Sequence, residues 1–465
     1  MVGRGVSRSE SLSLRAAARD VGARLGAVVD DVSYTYAALW SLAQPLVARV
    51  AALGSQSHPL AFVAHGSLET LLTVYACLEA GVPFVPLHPR LGEEERRELV
   101  RLWPNVRGLD APLPHPKARP ETTPADIDDE SALAIVHSSG TTGAPKGVVL
   151  SRRAFLASAH ASAANLGWQP EDRWLVAMPL AHVGGLSVLV RTLLARRTVV
   201  VASRFDVHAW THAVARHAVT LASLVPTMLV RLIEEAPGWR VPPHLRAVLL
   251  GGDAAPPELV RRATAAGWPL LTTYGLSEAC SQVATQPYPS AANAGGVVLA
   301  GMEVKISAAR EIMVRGVSLF SGYYASESEP SLDAEGFFPT GDLGELDEQG
   351  RLHVLGRRCD TLISGGENVQ PQEVEAALAT HAKVREALVG GLPDPVWGQK
   401  IVALIAPRHK DAPLAGADLD AWARARLASF KCPKGYYRVD ELPRTPQGKV
   451  DRRALVAALD APLPW

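Results

Sequence analysis

Ser138-Ser139-Gly140-Thr141-Thr142-Gly143-Ala144-Pro145-Lys146-Gly147 is the stretch on which the reading of this chain turns. It places three glycines, four hydroxyls and one lysine within ten residues, directly after the apolar run Leu133–Val136. A helical pattern opens at Ser151, so the segment reads as strand, loop and helix. Glycine lets a backbone approach a ligand closely and turn with positive φ. Hydroxyls and backbone N–H groups then face one concavity, and Lys146 adds a point charge that suits phosphate. Pro145 precedes the lysine and no Ser or Thr follows it, so this is not a Walker A loop. By composition alone the cluster reads equally well as a surface loop.

The chain has 465 residues, too many for one ordinary core, and two or more domains are expected. With 48% hydrophobic and 20% charged residues it has the composition of a soluble globular protein. The 47 basic and 47 acidic residues cancel, which argues against nucleic acid as a partner. Lysine is scarce beside arginine, so the position of each lysine carries information. The four cysteines (Cys77, Cys280, Cys359 and Cys432) form no C-x-x-C pair, which argues against structural zinc and suits a reducing compartment. The first residues hold no signal-peptide core, and the apolar run around Val188–Val201 is broken by Arg191, Arg196 and Arg197. The expectation is a cytoplasmic protein with no membrane span.

Strand patterns at Leu60–Val63, Val82–Leu87, Trp174–Met178, Thr198–Ala202, Leu221–Val225, Leu245–Leu250 and Pro269–Thr273 alternate with helical ones, for example about Leu68–Ala80 and Val207–His217. The first forty residues are poorly patterned, and residues 112–125 are a Pro-rich connection. Alternation of this kind implies an α/β fold with largely parallel sheet covered on both faces, ligands binding beyond the carboxyl ends of the strands. His182, Gly251-Gly252 and Tyr274-Gly275-Leu276-Ser277-Glu278 all follow strand ends, as the Gly-rich loop does. From about Gly295 short strands take over. A polar break, Gly356-Arg357-Arg358-Cys359-Asp360, then leads into a small α+β region with a helix at Gln372–His381, strands near Glu386–Gly390 and Ile401–Ala406, and a helix about Asp418–Leu427.

The loop Ser138–Gly147 resembles the phosphate loop of the adenylate-forming superfamily, which includes acyl- and aryl-CoA ligases, luciferases and peptide-synthetase adenylation domains. Further motifs follow in family order between about Leu60 and Leu455. Tyr274–Glu278 resembles the family's Y-G-x-T-E, with Ser277 for threonine. The resemblance implies that Tyr274 stacks on adenine beside Gly251, Gly275 and Ser277, and that Glu278 holds Mg²⁺. Asp342, in Thr340-Gly341-Asp342, resembles the aspartate that takes both ribose hydroxyls, and Arg357 the arginine that contacts the nucleotide. Lys449, in Pro443-Arg-Thr-Pro-Gln-Gly448-Lys449, resembles the catalytic lysine that bridges carboxylate and α-phosphate; Lys146 and His182 complete the implied catalytic set. Ser364-Gly365-Gly366, with Trp397, is implied to line the CoA path. Taken without context, Glu278 or Lys449 would be a solvated side chain, Thr340-Gly-Asp342 a turn, and Arg357 a surface ion pair.

The resemblance implies a large N-terminal domain of layered sheets and helices (1–356), a hinge (357–360) and a small mobile α+β domain (361–465). In the family the hinge residue is usually Asp or Lys, where this chain has Cys359. Met178–Ser187, Tyr274–Thr285, Ile363–Asn368 and Asp394–Gln399 most resemble the o-succinylbenzoate–CoA ligase family of menaquinone synthesis. The expected chemistry is therefore acid–thiol ligation: ATP and a small carboxylic acid give an acyl-adenylate, and CoA then gives the thioester. His182, Ser187, Arg191, Gly252, Ser281 and Thr285 are the candidate acyl-pocket residues, with Ala181 where an aromatic residue is usual. Another aryl or short to medium acyl acid is the alternative substrate. A stand-alone adenylation enzyme loading a carrier protein is disfavoured because no carrier segment with its attachment serine is present, and a non-catalytic relative because the charged residues above are all retained. Homodimers are common in the family, and the sequence leaves oligomeric state open.

Overall fold

The computed structural model describes residues 12–109, 127–138, 146–289, 295–326, 331–409, 413–445, 450–459 and 461–462. The chain forms two compact units. The first comprises Met1–Gly252, Trp268–Lys305 and Met313–Phe338, and the second Asp253–Gly267, Ile306–Ile312 and Pro339–Trp465.

The first unit holds a nine-stranded sheet in the order Val297–Val298, Ser281–Thr285, Leu270–Leu276, Ala247–Leu250, Leu221–Leu224, Arg173–Val176, Thr198–Val201, Leu25–Val29 and Val32–Thr35. Pairing is parallel from Leu25–Val29 through to Leu270–Leu276 and antiparallel at both ends. Thr198–Val201, Leu221–Leu224 and Ala247–Leu250 are buried at every position, as strands covered on both faces must be. Parallel neighbours need crossovers, supplied by helices such as Val183–Ala195 and Val207–Arg216, the latter capped by the Asp206 carboxylate on Ala209 N–H. One edge of this sheet collects the strand ends that precede His182, Gly251 and Glu278.

A six-stranded sheet of the same unit runs Gly322–Tyr323, Lys146–Ser151, Ala132–Ser138, Phe84–Leu87, Leu60–Val63 and Arg107–Gly108. Here the structure corrects the reading of strand, loop and helix. After the Gly-rich loop the chain returns as a second strand, Lys146–Ser151, with Ser138 opposite Lys146 and Val136 opposite Val148. The helix starts at Arg152 and uses Ser151 as its cap. Lys-Gly-Val-Val-Leu-Ser is a β-branched run that buries Gly147, Val148, Leu150 and Ser151, so it pairs rather than coils. The poorly patterned N-terminal stretch forms a helix, Leu14–Val21, and the edge hairpin Leu25–Val29/Val32–Thr35, turned by Asp30 and Asp31 at φ 47° and 62°. Tyr36–Leu53 has the length and apolar character of a membrane span, but it contains Pro45 and packs against Leu14–Val21 and Leu68–Ala80. Its Tyr36 hydroxyl donates to Arg197 C=O at 2.7 Å, the bond of a core helix.

In the second unit, Gly398–Pro407 is central. It pairs antiparallel with Val384–Asp394 and with Leu362–Ser364, and parallel with Tyr436–Arg438. Ile401, Ala403 and Ile405 face one apolar layer with the helices Pro371–Ala379 and Gly416–Arg424, while Val402, Leu404 and Ala406 face another with Leu442 and Leu455. The strand Leu352–Arg357 passes through the expected polar break as far as Arg357, and a single 3₁₀ turn, Arg358–Asp360, follows.

Candidate functional site

In the first unit, strand Leu270–Leu276 runs through the Tyr274-Gly-Leu motif, which is therefore a strand end rather than a loop. Ser277–Ala279 is a 3₁₀ turn, and strand Ser281–Thr285 returns antiparallel. Gly275 is obligatory: a Cβ there would lie 1.6 Å from Ser281 C=O. Gly251 is packed less tightly, but a Cβ there would still meet Thr273 C=O at 2.7 Å, and Gly252 turns with φ 80°. The Glu278 carboxylate accepts a hydrogen bond from Tyr323 Oη at 3.0 Å, and Lys146 Nζ lies 4.8 Å from the centre of the Tyr323 ring. Burial, and then the Glu278 charge, push the Tyr323 phenol far above its ordinary range, so it stays a donor.

His182 caps Val183–Ala195. Its ring centre is 5.4 Å from that of His88, which is 4% exposed. His88 Nδ1 accepts from Arg90 N–H at 3.1 Å, which assigns the proton of the neutral ring to Nε2, a buried atom with no hydrogen-bond partner among the described residues. Burial, then Arg90 and His137, bring His88 down to about 4, and burial also lowers His137. Both rings are neutral at pH 7.

Ser187 and Arg191 follow one turn apart on the same helix face. Ser187 Oγ is buried without a partner among the described residues. Arg191 is 3% exposed; its Nη2 donates to Ser281 Oγ at 3.4 Å and its guanidinium lies 5.5 Å from the Trp174 ring centre. Among the described residues it forms no ion pair with a carboxylate. Burial pushes it down to about 10, so it remains a cation at neutral pH. On the same strand as Ser281, Thr285 Oγ1 bonds Thr273 Oγ1 at 2.7 Å and accepts from Gln282 Nε2 at 2.8 Å.

In the second unit, Asp342 lies opposite Arg357 across a hairpin, Arg357 Nε 3.7 Å from Asp342 Oδ1. Thr340-Gly341-Asp342, read as a turn if taken alone, lies within strand Phe338–Leu346; Thr340 Oγ1 donates to Ile312 C=O at 2.8 Å and accepts from Asp342 N–H at 3.1 Å. The buried carboxylate of Glu311 accepts from Gly341 N–H at 2.9 Å and, on its other oxygen, from Arg358 at 2.9 Å.

A family model described as AMP-binding enzyme matches residues 104–324, and one described as AMP-binding enzyme C-terminal domain matches 373–449. The 2-succinylbenzoate–CoA ligase of Bacillus pumilus is 34% identical over 464 residues, 93% of this chain and 94% of that one. The chain belongs to the AMP-binding, adenylate-forming enzyme family. The o-succinylbenzoate CoA synthetase of Bacillus subtilis, solved with the acyl-adenylate intermediate, matches 97% of this chain and 98% of its own at 32% identity and a TM-score of 0.84. The same enzyme solved with ATP and magnesium ion matches at 31% identity, 95% and 98% coverage, and a TM-score of 0.83. ATP-bound MatB from Rhodopseudomonas palustris matches at 26% identity, 95% and 98% coverage, and a TM-score of 0.85.

The motifs of this AMP-binding enzyme fall on the two units separately. Lys146, His182, Ser187, Arg191, Gly251, Gly252, Tyr274, Gly275, Ser277, Glu278, Ser281 and Thr285 belong to the first, and Asp342, Arg357, Ser364, Gly365, Gly366 and Trp397 to the second. Ser139, Gly140, Thr141, Thr142, Gly143 and Lys449 lie outside the described residues, as does the side chain of Ser138. Gly365 and Gly366, at φ 61° and 84°, make the two-residue turn of a hairpin between Leu362–Ser364 and Glu367–Val369. Trp397 covers Gly365: a Cβ there would meet the indole at 3.1 Å, and Gly365 N–H donates to Trp397 C=O. Lys434 Nζ stands 4.8 Å from the Trp397 ring centre while donating to Cys432 C=O at 2.6 Å. Cys359 is exposed, with Asp360 Oδ1 3.7 Å from its sulfur. His88, Tyr323 and Glu311 were absent from the sequence reading. His88 directly follows the strand Phe84–Leu87, the same strand-end signal that selected His182.

Proposed function

We propose that this AMP-binding enzyme is a 2-succinylbenzoate–CoA ligase of menaquinone synthesis, acting in the cytoplasm where ATP and CoA are available. The observation that carries the reading beyond the family is Arg191, a buried cation with no carboxylate partner among the described residues. A guanidinium left so is suited to an anion that arrives with the substrate. Succinylbenzoate brings two carboxylates, one to be activated and one to remain. Arg191, with Ser187, Ser281, Thr285 and Gly252, is assigned to the carboxylate that remains, and His182 to orienting the one that reacts.

The first step joins an anionic carboxylate to an anionic triphosphate, so neutralisation and alignment are the main demands. Ser138 to Gly143 and Lys146 are assigned to the phosphates, and Tyr274, Gly251, Gly275 and Ser277 to the adenine side. Asp342, with two acceptor oxygens for the ribose diol, and Arg357 are assigned to the nucleotide. Glu278 fits magnesium: it is one carboxylate at a strand end with Oε2 unbonded among the described residues, and Mg²⁺ takes one or two carboxylates with phosphate oxygens. When bound, the ion supplies charge neutralisation at the phosphates. Lys449 is assigned to the carboxylate and α-phosphate in this step. Rotation of 361–465 about 357–360 would then exchange Lys449 for Ser364, Gly365, Gly366 and Trp397 and open the CoA path, one site serving two half-reactions. A homodimer belongs to the same proposal and is read from the sedimentation mass of the purified chain.

The test is mass spectrometry of AMP and the CoA thioester after incubation with ATP, Mg²⁺, CoA and a panel of acids. Preferential turnover of o-succinylbenzoate is expected. Turnover confined to benzoates or short fatty acids would overturn the substrate, and no AMP with any acid would overturn the ligase reading.

A further inference from the structure

Tyr323 belongs to none of the motifs quoted above, yet it touches two groups on which the proposed chemistry depends. It sits on the two-residue strand Gly322–Tyr323, opposite Val148 of strand Lys146–Ser151. Backbone bonds fix the segment on both sides: Ser321 N–H donates to Val149 C=O at 2.9 Å, Tyr324 N–H to Gly147 C=O at 2.7 Å, and Phe320 N–H to Glu278 C=O at 2.8 Å. The ring also packs edge-on against Phe320, with centroids 5.0 Å apart. None of these contacts uses the hydroxyl. The hydroxyl is spent on Glu278 Oε1 at 3.0 Å, and the ring face on the Lys146 ammonium at 4.8 Å.

Lys146 and Glu278 carry opposite charges at the same place in the fold. Were they to meet, each would neutralise the group the reaction needs, the ammonium for phosphate and the carboxylate for metal. We propose that Tyr323 is a positioning residue that keeps them apart while orienting both: the electron-rich ring face holds the cation, and the hydroxyl pins one carboxylate oxygen and leaves Oε2 to the metal. The inference rests on the ligase reading for the role of Glu278 and deepens it.

Two substitutions separate the two contacts. Tyr323→Phe keeps the ring and loses the hydroxyl; Tyr323→Leu loses both. The readouts are Mn²⁺ affinity in the presence of ATP, by electron paramagnetic resonance, and metal-free ATP affinity, by calorimetry. Y323F is expected to weaken Mn²⁺ about tenfold, the loss of one hydrogen bond to a charged group, and to leave metal-free ATP unchanged. Y323L is expected to weaken both. Glu278→Gln is measured alongside. If E278Q weakens Mn²⁺ and Y323F does not, the role of Tyr323 is overturned and the metal assignment stands. If Y323F weakens both ligands alike, the residue is merely structural and the inference fails. If E278Q leaves Mn²⁺ affinity intact, the metal assignment falls and takes the inference with it.

Discussion

Replacing Arg191 by methionine should move two measurable quantities in opposite useful directions. The side chain is 3% exposed, and burial brings its guanidinium down from the ordinary arginine range to about 10. Each tenfold loss of proton affinity is worth about 1.4 kcal/mol, so the buried cation costs the free protein about 3 kcal/mol. Both folded and unfolded chains are protonated at neutral pH, so the whole cost is present there and is relieved only as pH rises past about 10. Methionine keeps an unbranched apolar stem over Trp174 and removes the charge, and substitutions of this kind stabilise by about 1–4 kcal/mol. Denaturant unfolding of ligand-free Arg191→Met should therefore show a higher midpoint. The substrate loses its partner in the same step. Leaving one member of a buried charge pair alone costs about 2–5 kcal/mol, a rise in KM for o-succinylbenzoate of about 30-fold or more. KM for ATP should stay unchanged, and the analogue lacking the ring carboxylate should bind both forms alike. A more stable variant with unchanged KM for the dicarboxylate would refute the assignment to substrate. A less stable one would refute the idea that the cation is uncompensated.

Lys449→Ala is expected to abolish ATP–pyrophosphate exchange while a supplied acyl-adenylate is still converted by CoA; equal loss in both half-reactions would count against the assignment of this lysine. His88 gives an acid signature. Its folded value, about 4, lies below the ordinary 6.5, so stability is whole above pH 6.5 and falls as the pH drops toward 4, by about 3 kcal/mol, because only the unfolded chain takes up the proton. His137, lowered by burial, acts in the same direction, so His88→Asn should flatten most but not all of the slope in unfolding midpoints against pH. Gly275→Ala places a Cβ 1.6 Å from Ser281 C=O and should abolish soluble folded protein; a well-folded variant with normal circular dichroism would contradict the close approach.

What was legible in the chain was local. Wholly apolar runs such as Leu60–Val63 and Ala247–Leu250 announce buried parallel strands, and each motif residue sits beside glycines or hydroxyls within a few positions. What was not legible depends on distant partners. Arg191 is read as a buried cation only once Ser281, 90 residues away, and Trp174 enclose it. Tyr323 reaches Glu278 across 45 residues from a strand only two residues long, too short for any periodicity. The strand Lys146–Ser151 was hidden because loop glycines on one side and a cap serine on the other are the signals of a loop entering a helix. The pairing with Ala132–Ser138 that overrides them is tertiary. In the edge hairpin near the N-terminus the outer strand, Val32–Thr35, has no buried position and so lacks the apolar run by which inner strands are recognised.

Glu311 shows how much one carboxylate can tie together. Its two oxygens are divided between Gly341 N–H, next to Asp342 in strand Phe338–Leu346, and Arg358, the first residue of the 3₁₀ turn that follows Arg357. The negative charge is a single delocalised quantity, so density drawn toward the guanidinium is withdrawn from the amide, and the reverse. A change in the 3₁₀ turn that releases Arg358 would therefore strengthen the grip on Gly341 without any movement of the strand around Gly341 itself. The strand segment bearing Asp342 and the segment 358–360 share one ballast, and neither can be trimmed without the other registering the change.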